Sequence, residues 1–226
     1  METPKLVLEA LESGLTVDHV IVPGDQHPDP DIAERCEADS VRMFGLEANA
    51  FTKLSDARTP QPALAVVETP SLEVDDRFSR GGNYLVLVEV ADPGNVGTLI
   101  RTAEASGCAG VIVTSQTADV FSPKVVRSSS GSVLRVPIGE VETTDVLDTL
   151  RTIDVQSVAS AMDAPKYSEA ELDATRGVGL LLGNEAHGLD SGLVGAADHA
   201  ISIPMHGKVE SLNVATAGAV LAFGLF

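Results

Sequence analysis

The chain has 226 residues, 44% of them hydrophobic and 21% charged, and its 20 glycines and 12 prolines are scattered, which excludes a disordered segment, collagen or a coiled coil. That length exceeds the usual domain of roughly 100–150 residues, so two units are expected. Fifteen Lys and Arg against 33 Asp and Glu leave a net charge of −18, which alone argues against a phosphate-binding surface, although such contact depends on where the few cations sit.

In chain order, a helix is expected over 5–12, a strand over 19–22, a helix over 30–36, a strand over 41–44, a helix over 47–54 and a strand over 64–67. This is a small α/β unit. Its opening helix has no strand ahead of it, where such a unit would begin with one, so the start of the unit is expected to be shortened. Residues 55–62 are a loop by composition. Acid, Pro70 and the Gly81–Gly82 pair, without apolar periodicity over 69–83, mark 71–83 as a linker. The expected organisation is thus a substrate-binding unit over 1–70, the linker, and a larger domain over 84–226.

The larger domain alternates more clearly. An almost unbroken apolar strand over 84–90 is followed by a helix over 96–106, a strand over 110–114, a helix over 123–133, a strand over 135–137 and a helix over 143–152. Strands over 157–161, 178–182 and 200–203 then lead to a closing helix over 212–223. Such alternation predicts an α/β fold whose parallel sheet is covered on both faces, with ligands beyond the carboxyl ends of the strands. The longest apolar stretches are far short of the roughly 20 residues that cross a bilayer, and no charged-then-apolar leader opens the sequence. With only Cys36 and Cys108, and no CxxC, a reducing cytoplasm is expected.

Three strand ends carry unusual residues. After the first strand of the larger domain comes Asp92-Pro93-Gly94-Asn95, with Gly97 and Arg101 following. The glycines are similar to a phosphate loop but fit neither nucleotide motif, and taken alone the segment is a strand-to-helix turn capped by Asn95. The second end is Gly183-Asn184-Glu185, then His187 and Gly188, where a glycine lets backbone approach a ligand closely. The third runs from Ile203-Pro204-Met205 to Ser211-Leu212-Asn213 at a helix start, where Ser211 is an N-cap candidate. His187, His199 and His206 have spacings that match no metal pattern, so no metal is expected. GxSxG is absent, which argues against a hydrolase nucleophile.

Together these segments resemble the SpoU family of RNA ribose 2′-O-methyltransferases, in the knotted SPOUT superfamily. The motifs are Asn95 with Arg101 six residues on; Gly183-Asn184-Glu185 with Gly188; and Ile203-Pro204-Met205 with Ser211-Leu212-Asn213. Residues 123–131 look like the family's helix with a Ser- and Gly-rich end. The resemblance covers about 85–226, and residues 1–70 look like a shortened form of its N-terminal RNA-binding domain.

The resemblance implies methyl transfer from S-adenosylmethionine to a ribose 2′-hydroxyl, on a trefoil-knotted sheet, in a homodimer. Gly183, Ile203 and Leu212 inherit the cofactor contacts, largely through backbone groups. Arg101 inherits the catalytic role. An ordinary arginine, with a pKa above about 12, is a poor base, so either the site depresses that value or Arg101 orients the hydroxyl and anchors phosphate. Asn95 would hold Arg101 or the ribose, Glu185 would orient this cluster, and Ser211 with Asn213 would complete it. Arg127, from the same or a second subunit, and Lys124 are the expected RNA contacts. The closing helix is apolar on nearly every side, which also suits a dimer. Ribosomal RNA is the expected substrate, with tRNA as the alternative. A catalytically silent RNA-binding member of the fold and a small-molecule Rossmann enzyme are the rival classes.

Overall fold

The computed structural model describes residues 1–55 and 59–226, so the loop expected over 55–62 lies partly outside the described residues. The chain divides into two compact units, Met1–Pro70 and Ser71–Phe226.

The first unit contains α1 (Pro4–Glu12), β1 (Val17–Pro23), α2 (Pro30–Ala38), β2 (Arg42–Leu46), α3 (Ala48–Leu54) and β3 (Leu64–Val67). α1 and α2 each open on a proline behind a capping side chain. Thr3 Oγ1 accepts from the Leu6 N–H at 3.2 Å, and Asp29 Oδ1 accepts from the Asp31 N–H at 3.0 Å. The sheet order is β2-β1-β3, parallel between β1 and β2 and antiparallel between β1 and β3. Val7 and Leu11 of α1 and Ile32 and Cys36 of α2, at helical spacing, cover Val20, Val22 and Ala65. The opening helix is in fact preceded by extended chain. The Met1 carbonyl accepts from the Ala65 N–H at 2.9 Å, Glu2 bridges Leu64, and the Thr3 N–H donates to the Ala63 carbonyl at 3.2 Å.

The second unit runs β4 (Tyr84–Leu87), α4 (Pro93–Ala105), β5 (Gly110–Thr114), α5 (Pro123–Ser128), β6 (Ile138–Val141), α6 (Val146–Thr152), β7 (Val155–Ser160), β8 (Gly177–Leu182), α7 (Ser191–Ala196), β9 (His199–Ile201) and α8 (Val214–Leu225). All strand pairs are parallel, in the order β6-β5-β4-β8-β7-β9. Every residue of β4, β5 and β8 is buried, as apolar runs in a covered parallel sheet should be. The order runs outward from β4 through β5 to β6 and resumes on the other side with β7 and β8. The chain therefore reverses direction across the sheet between β4 and β8, where ligands of such sheets bind. α4 packs against both α5 and α8.

Several boundaries differ from expectation for identifiable reasons. β4 stops at Leu87 because Glu89 turns left-handed (φ 57°) and gives its N–H to Thr114 Oγ1 at 2.9 Å. α4 starts at Pro93, since Asp92 and not Asn95 caps it: Asp92 Oδ1 accepts from the Gly94 and Asn95 N–H groups at 2.6 and 3.1 Å. The helix expected over 123–133 ends at Ser128, because Ser130 (φ 50°) and Gly131 (φ 87°) are both left-handed and only a short 3-10 turn, Ser132–Leu134, follows. The strand expected over 135–137 lies at Ile138–Val141; Pro137, which has no N–H, supplies only a carbonyl, to the Val111 N–H. The closing helix starts at Val214, capped by Asn213 and not Ser211. α7 was not expected, because six residues carry no readable period; its one signal is the capping Asp190.

Residues 71–83, expected as a linker, pack into the second unit. The Phe78 ring is 4% exposed and stacks on Tyr84 with centroids 5.8 Å apart, and Tyr84 Oη donates to the Ser79 carbonyl at 2.7 Å. The Leu72 carbonyl accepts from the Glu140 N–H of β6 at 2.7 Å. Phe78→Ala is therefore expected to destabilise the second unit by about 3–5 kcal/mol in urea unfolding. A loss below about 1 kcal/mol would mean that the segment only connects.

Candidate active site

The ends of β4 and β8 are bound to each other. The Val88 N–H donates to the Leu182 carbonyl and Asn184 Nδ2 donates to the Glu89 carbonyl, both at 2.8 Å. Glu185 then gathers three donors from the loop and first turn after β4. Its Oε2 accepts from the Ala91 N–H at 3.0 Å, and its Oε1 accepts from the Asp92 N–H at 3.0 Å and from Asn95 Nδ2 at 2.9 Å. Partial burial pushes the Glu185 pKa up, but these hydrogen bonds, led by that from the Asn95 side chain, outweigh it and hold the carboxyl below its ordinary value.

Asn213 continues the chain of bonds. Its Oδ1 caps α8 by accepting from the Ala215 and Thr216 N–H groups at 2.9 and 3.3 Å, and its Nδ2 donates to Asn95 Oδ1 at 3.0 Å. Each amide orientation dictates the next: with its oxygen committed to the cap, Asn213 must donate, so Asn95 must accept there and donate to Glu185. Asn95, Glu185 and Asn213 thus form one directed relay across residues far apart in sequence.

Gly183 is required by the protein's own backbone. A Cβ there would fall on the main chain of Gly188 and Leu189, because residues 184–188 fold back, closed by the Gly188 N–H to the Asn184 carbonyl at 2.9 Å. Gly97, read from sequence as part of a loop similar to a phosphate cradle, instead lets α4 and α5 touch; a Cβ would strike Ser128 Oγ and come within 2.7 Å of the Val125 carbonyl.

The remaining expected residues are placed more loosely. Arg101 is exposed and lies outside the relay, with its Nη1 donating to Ser130 Oγ at 3.3 Å. Lys124 pairs with Asp92 Oδ2 at 3.2 Å, whereas Arg127 is exposed and, among the described residues, has no ion-pair partner. Ser211 is exposed and makes no hydrogen bond among the described residues. Between β9 and α8, none of the backbone N–H groups of Ile203 and Leu212 is paired within the described residues, and Leu212 is exposed. These free donors fit the ring nitrogens of an adenine, and a neutral backbone frame fits a cofactor that carries no phosphate. A cleft of about 440 Å³ lined by Val88, Glu89, Thr143, residues 187–191 and Leu193 holds none of the expected site residues. No cluster of three potential metal ligands occurs among the described residues. Two participants were missed in the sequence: Asp92, signalled by the Asp-Pro pair of a capped helix start, and Ser130, which an uninterrupted helix over 123–133 would have concealed.

Comparison with known proteins identifies the family and the fold. The model of the SpoU rRNA Methylase family matches residues 82–223. The 23S rRNA (guanosine(2553)-2′-O)-methyltransferase RlmP of Bacillus subtilis is 31% identical over 226 residues, covering 100% of this chain and 87% of its own. The 23S rRNA (uridine(2479)-2′-O)-methyltransferase of Streptomyces viridochromogenes is 30% identical, over 95% of this chain and 77% of its own. Among solved structures, the SpoU methyltransferase AviRb from Streptomyces viridochromogenes in complex with AdoMet superposes with a TM-score of 0.89 at 27% identity, covering 99% of this chain and 87% of that one. The AdoMet-bound rRNA methyltransferase from Sinorhizobium meliloti gives 0.86 at 31% identity, over 99% and 85%. With its relay of Asn95, Glu185 and Asn213 at the switch point of a parallel sheet, the chain belongs to the SpoU rRNA methylase family.

Proposed function

We propose that this chain methylates a ribose 2′-hydroxyl of ribosomal RNA, drawing the methyl from S-adenosylmethionine. The observation that carries this reading is the Asn213–Asn95–Glu185 relay at the β4/β8 switch point, together with Ile203 and Leu212 N–H groups that are unpaired among the described residues. It is supported by the 23S rRNA relatives and by the AdoMet complexes of two structural neighbours, which also favour rRNA over tRNA. The trefoil passage belongs to this reading through the family.

S-adenosylmethionine supplies an electrophilic methyl on a sulfonium and leaves as S-adenosylhomocysteine. Ile203 and Leu212 would hold this cofactor through their backbone N–H groups, with the Gly183 turn as the third expected contact. In the transfer the 2′-oxygen would gain the methyl as its bond to sulfur breaks, and the hydroxyl proton would pass to solvent, which reaches the exposed Arg101. Arg101 grips the 2′-oxygen and the adjoining phosphate, holding the oxygen in line with the methyl. Asn95, its orientation set by Glu185 and Asn213, meets the ribose. Exposed Arg127, which has no ion-pair partner among the described residues, is the phosphate contact, while Lys124 serves RNA only by leaving Asp92.

In the first unit, Phe44 is 46% exposed, with the Arg42 guanidinium 5.8 Å from its ring centroid and His19 edge-on at 5.5 Å. An open ring beside a cation suits a stacked base, which supports assigning this unit to RNA. α8 turns Gly218, Leu221 and Ala222 inward but leaves Val220 39% and Phe223 65% exposed, and a second copy of the chain is the cover we infer. Action on ribosomal RNA implies the cytoplasm; no helix among the described residues is long and apolar enough to cross a membrane.

Arg101→Ala is expected to lower methyl transfer at saturating RNA by about a hundredfold or more, with S-adenosylmethionine affinity by calorimetry nearly unchanged. Wild-type turnover would remove Arg101 from the chemistry. Because folding lowers the Glu185 pKa, its carboxylate stabilises the folded state above the unfolded value of about 4.3, and this contribution is lost as the pH falls through the lower folded value. Glu185→Gln should therefore be less stable than the parent near neutrality, and the gap in urea midpoints should close in acid; a gap that ignores pH would refute the role of the charge. Light scattering should report twice the mass of the chain, and Phe223→Asp a monomer. A parent protein already monomeric would overturn the dimer.

A further inference from the structure

Arg101 projects from α4 on the face that meets the turn after α5. Gly97, Arg101 and Glu104 lie four and three residues apart and so share that face. The turn is fastened to α4 on both sides of Arg101. Toward the start of α4, Gly97 admits α5 at close approach and Ser128 Oγ donates to the Pro93 carbonyl at 3.3 Å. Toward its end, Arg135 makes a two-pronged ion pair with Glu104, Nε to Oε1 at 2.6 Å and Nη2 to Oε2 at 3.0 Å. Buried Ser129 anchors the segment between them, its Oγ donating to the Val126 carbonyl at 3.0 Å.

At the centre of this clamp stands Ser130, with φ 50°, next to Gly131 at φ 87°. Glycine takes the left-handed region freely, whereas a residue with a Cβ does so at a cost. The backbone here would be satisfied by a second glycine, so the strain is borne for the side chain, whose one hydrogen bond among the described residues is that its Oγ accepts from Arg101 Nη1. We propose that Ser130 is a positioning residue for methyl transfer, its hydroxyl holding the Arg101 guanidinium in the orientation that meets the ribose. A long exposed arginine samples many rotamers; one acceptor on a rigid turn selects among them and leaves the other N–H groups for the 2′-oxygen and phosphate. This inference rests on the reading of Arg101 as the group that grips the ribose.

The test uses the full chain, with thermal midpoint, the KM for S-adenosylmethionine, and single-turnover tritiated-methyl transfer at saturating RNA. Ser130→Gly relieves the strained φ while deleting the hydroxyl, so it should melt at or above the parent temperature yet transfer methyl roughly tenfold more slowly, with the KM unchanged. Ser130→Asn tolerates the left-handed backbone and restores an acceptor, and should recover most of the rate. In an Arg101→Ala background, adding Ser130→Gly should slow the residual reaction no further. A parent-like rate in Ser130→Gly overturns the proposal, as does a full additional tenfold loss in the Arg101→Ala background, because Ser130 would then act independently of Arg101. A parent-like rate in Arg101→Ala instead overturns the underlying reading, and the two failures are thereby told apart.

Discussion

The second unit's site depends on one carboxylate. Glu185 stands just beyond β8, and its two oxygens take up the Ala91 and Asp92 N–H groups and the Asn95 amide, which belong to the loop and first turn after β4. Backbone donors in such a loop need partners, and a charged acceptor from the neighbouring strand satisfies two while fixing where α4 begins. Once α4 is fixed, so are Asn95 at its first turn and Arg101 farther along it. Asn213 completes the constraint from the other direction, because a helix cap decides which way its amide points. A flipped amide at Asn95 or Asn213 would set donor against donor and break the sequence of bonds.

Much of this was legible in the sequence, and the limits have physical causes. β4, β5 and β8 are buried on both faces and so read as apolar runs, while Asn95, Glu185 and Asn213 were singled out through the resemblance to the SpoU motifs. What periodicity could not supply was backbone handedness. Ser130 and Gly131 interrupt a segment that otherwise reads as one helix, so both the end of α5 and the partner of Arg101 were hidden by a single left-handed pair. Composition misled over residues 71–83 as well, where one buried Phe78 counts for more than the surrounding acid and glycine. Gly97 and Gly183 were noticed for the right property, close approach, but the partner in each case is the protein's own chain.

The excess of acid is likewise reconciled at the level of individual side chains. Arg77, Arg135, Arg151 and Arg176 each pair with a carboxylate, so these cations are neutralised where they stand. Arg101 and Arg127 are not bound in this way. A net charge of −18 therefore does not by itself exclude contact with a polyanion, which depends on where cations without a carboxylate partner stand.

The strand order bears on how the molecule is made. β4 acquires β5 as a neighbour after a short crossover, but its other edge waits for β8, which leaves the ribosome some ninety residues later. Until then a nascent chain carries an apolar parallel strand with an open edge, the kind of surface that chaperones shield and that aggregates pair upon. A product terminated between Arg101 and Leu182 keeps Arg101 but lacks Glu185 and Asn213 altogether. The relay of Asn95 with Glu185 and Asn213 thus waits for the C-terminal part of the chain, which emerges last.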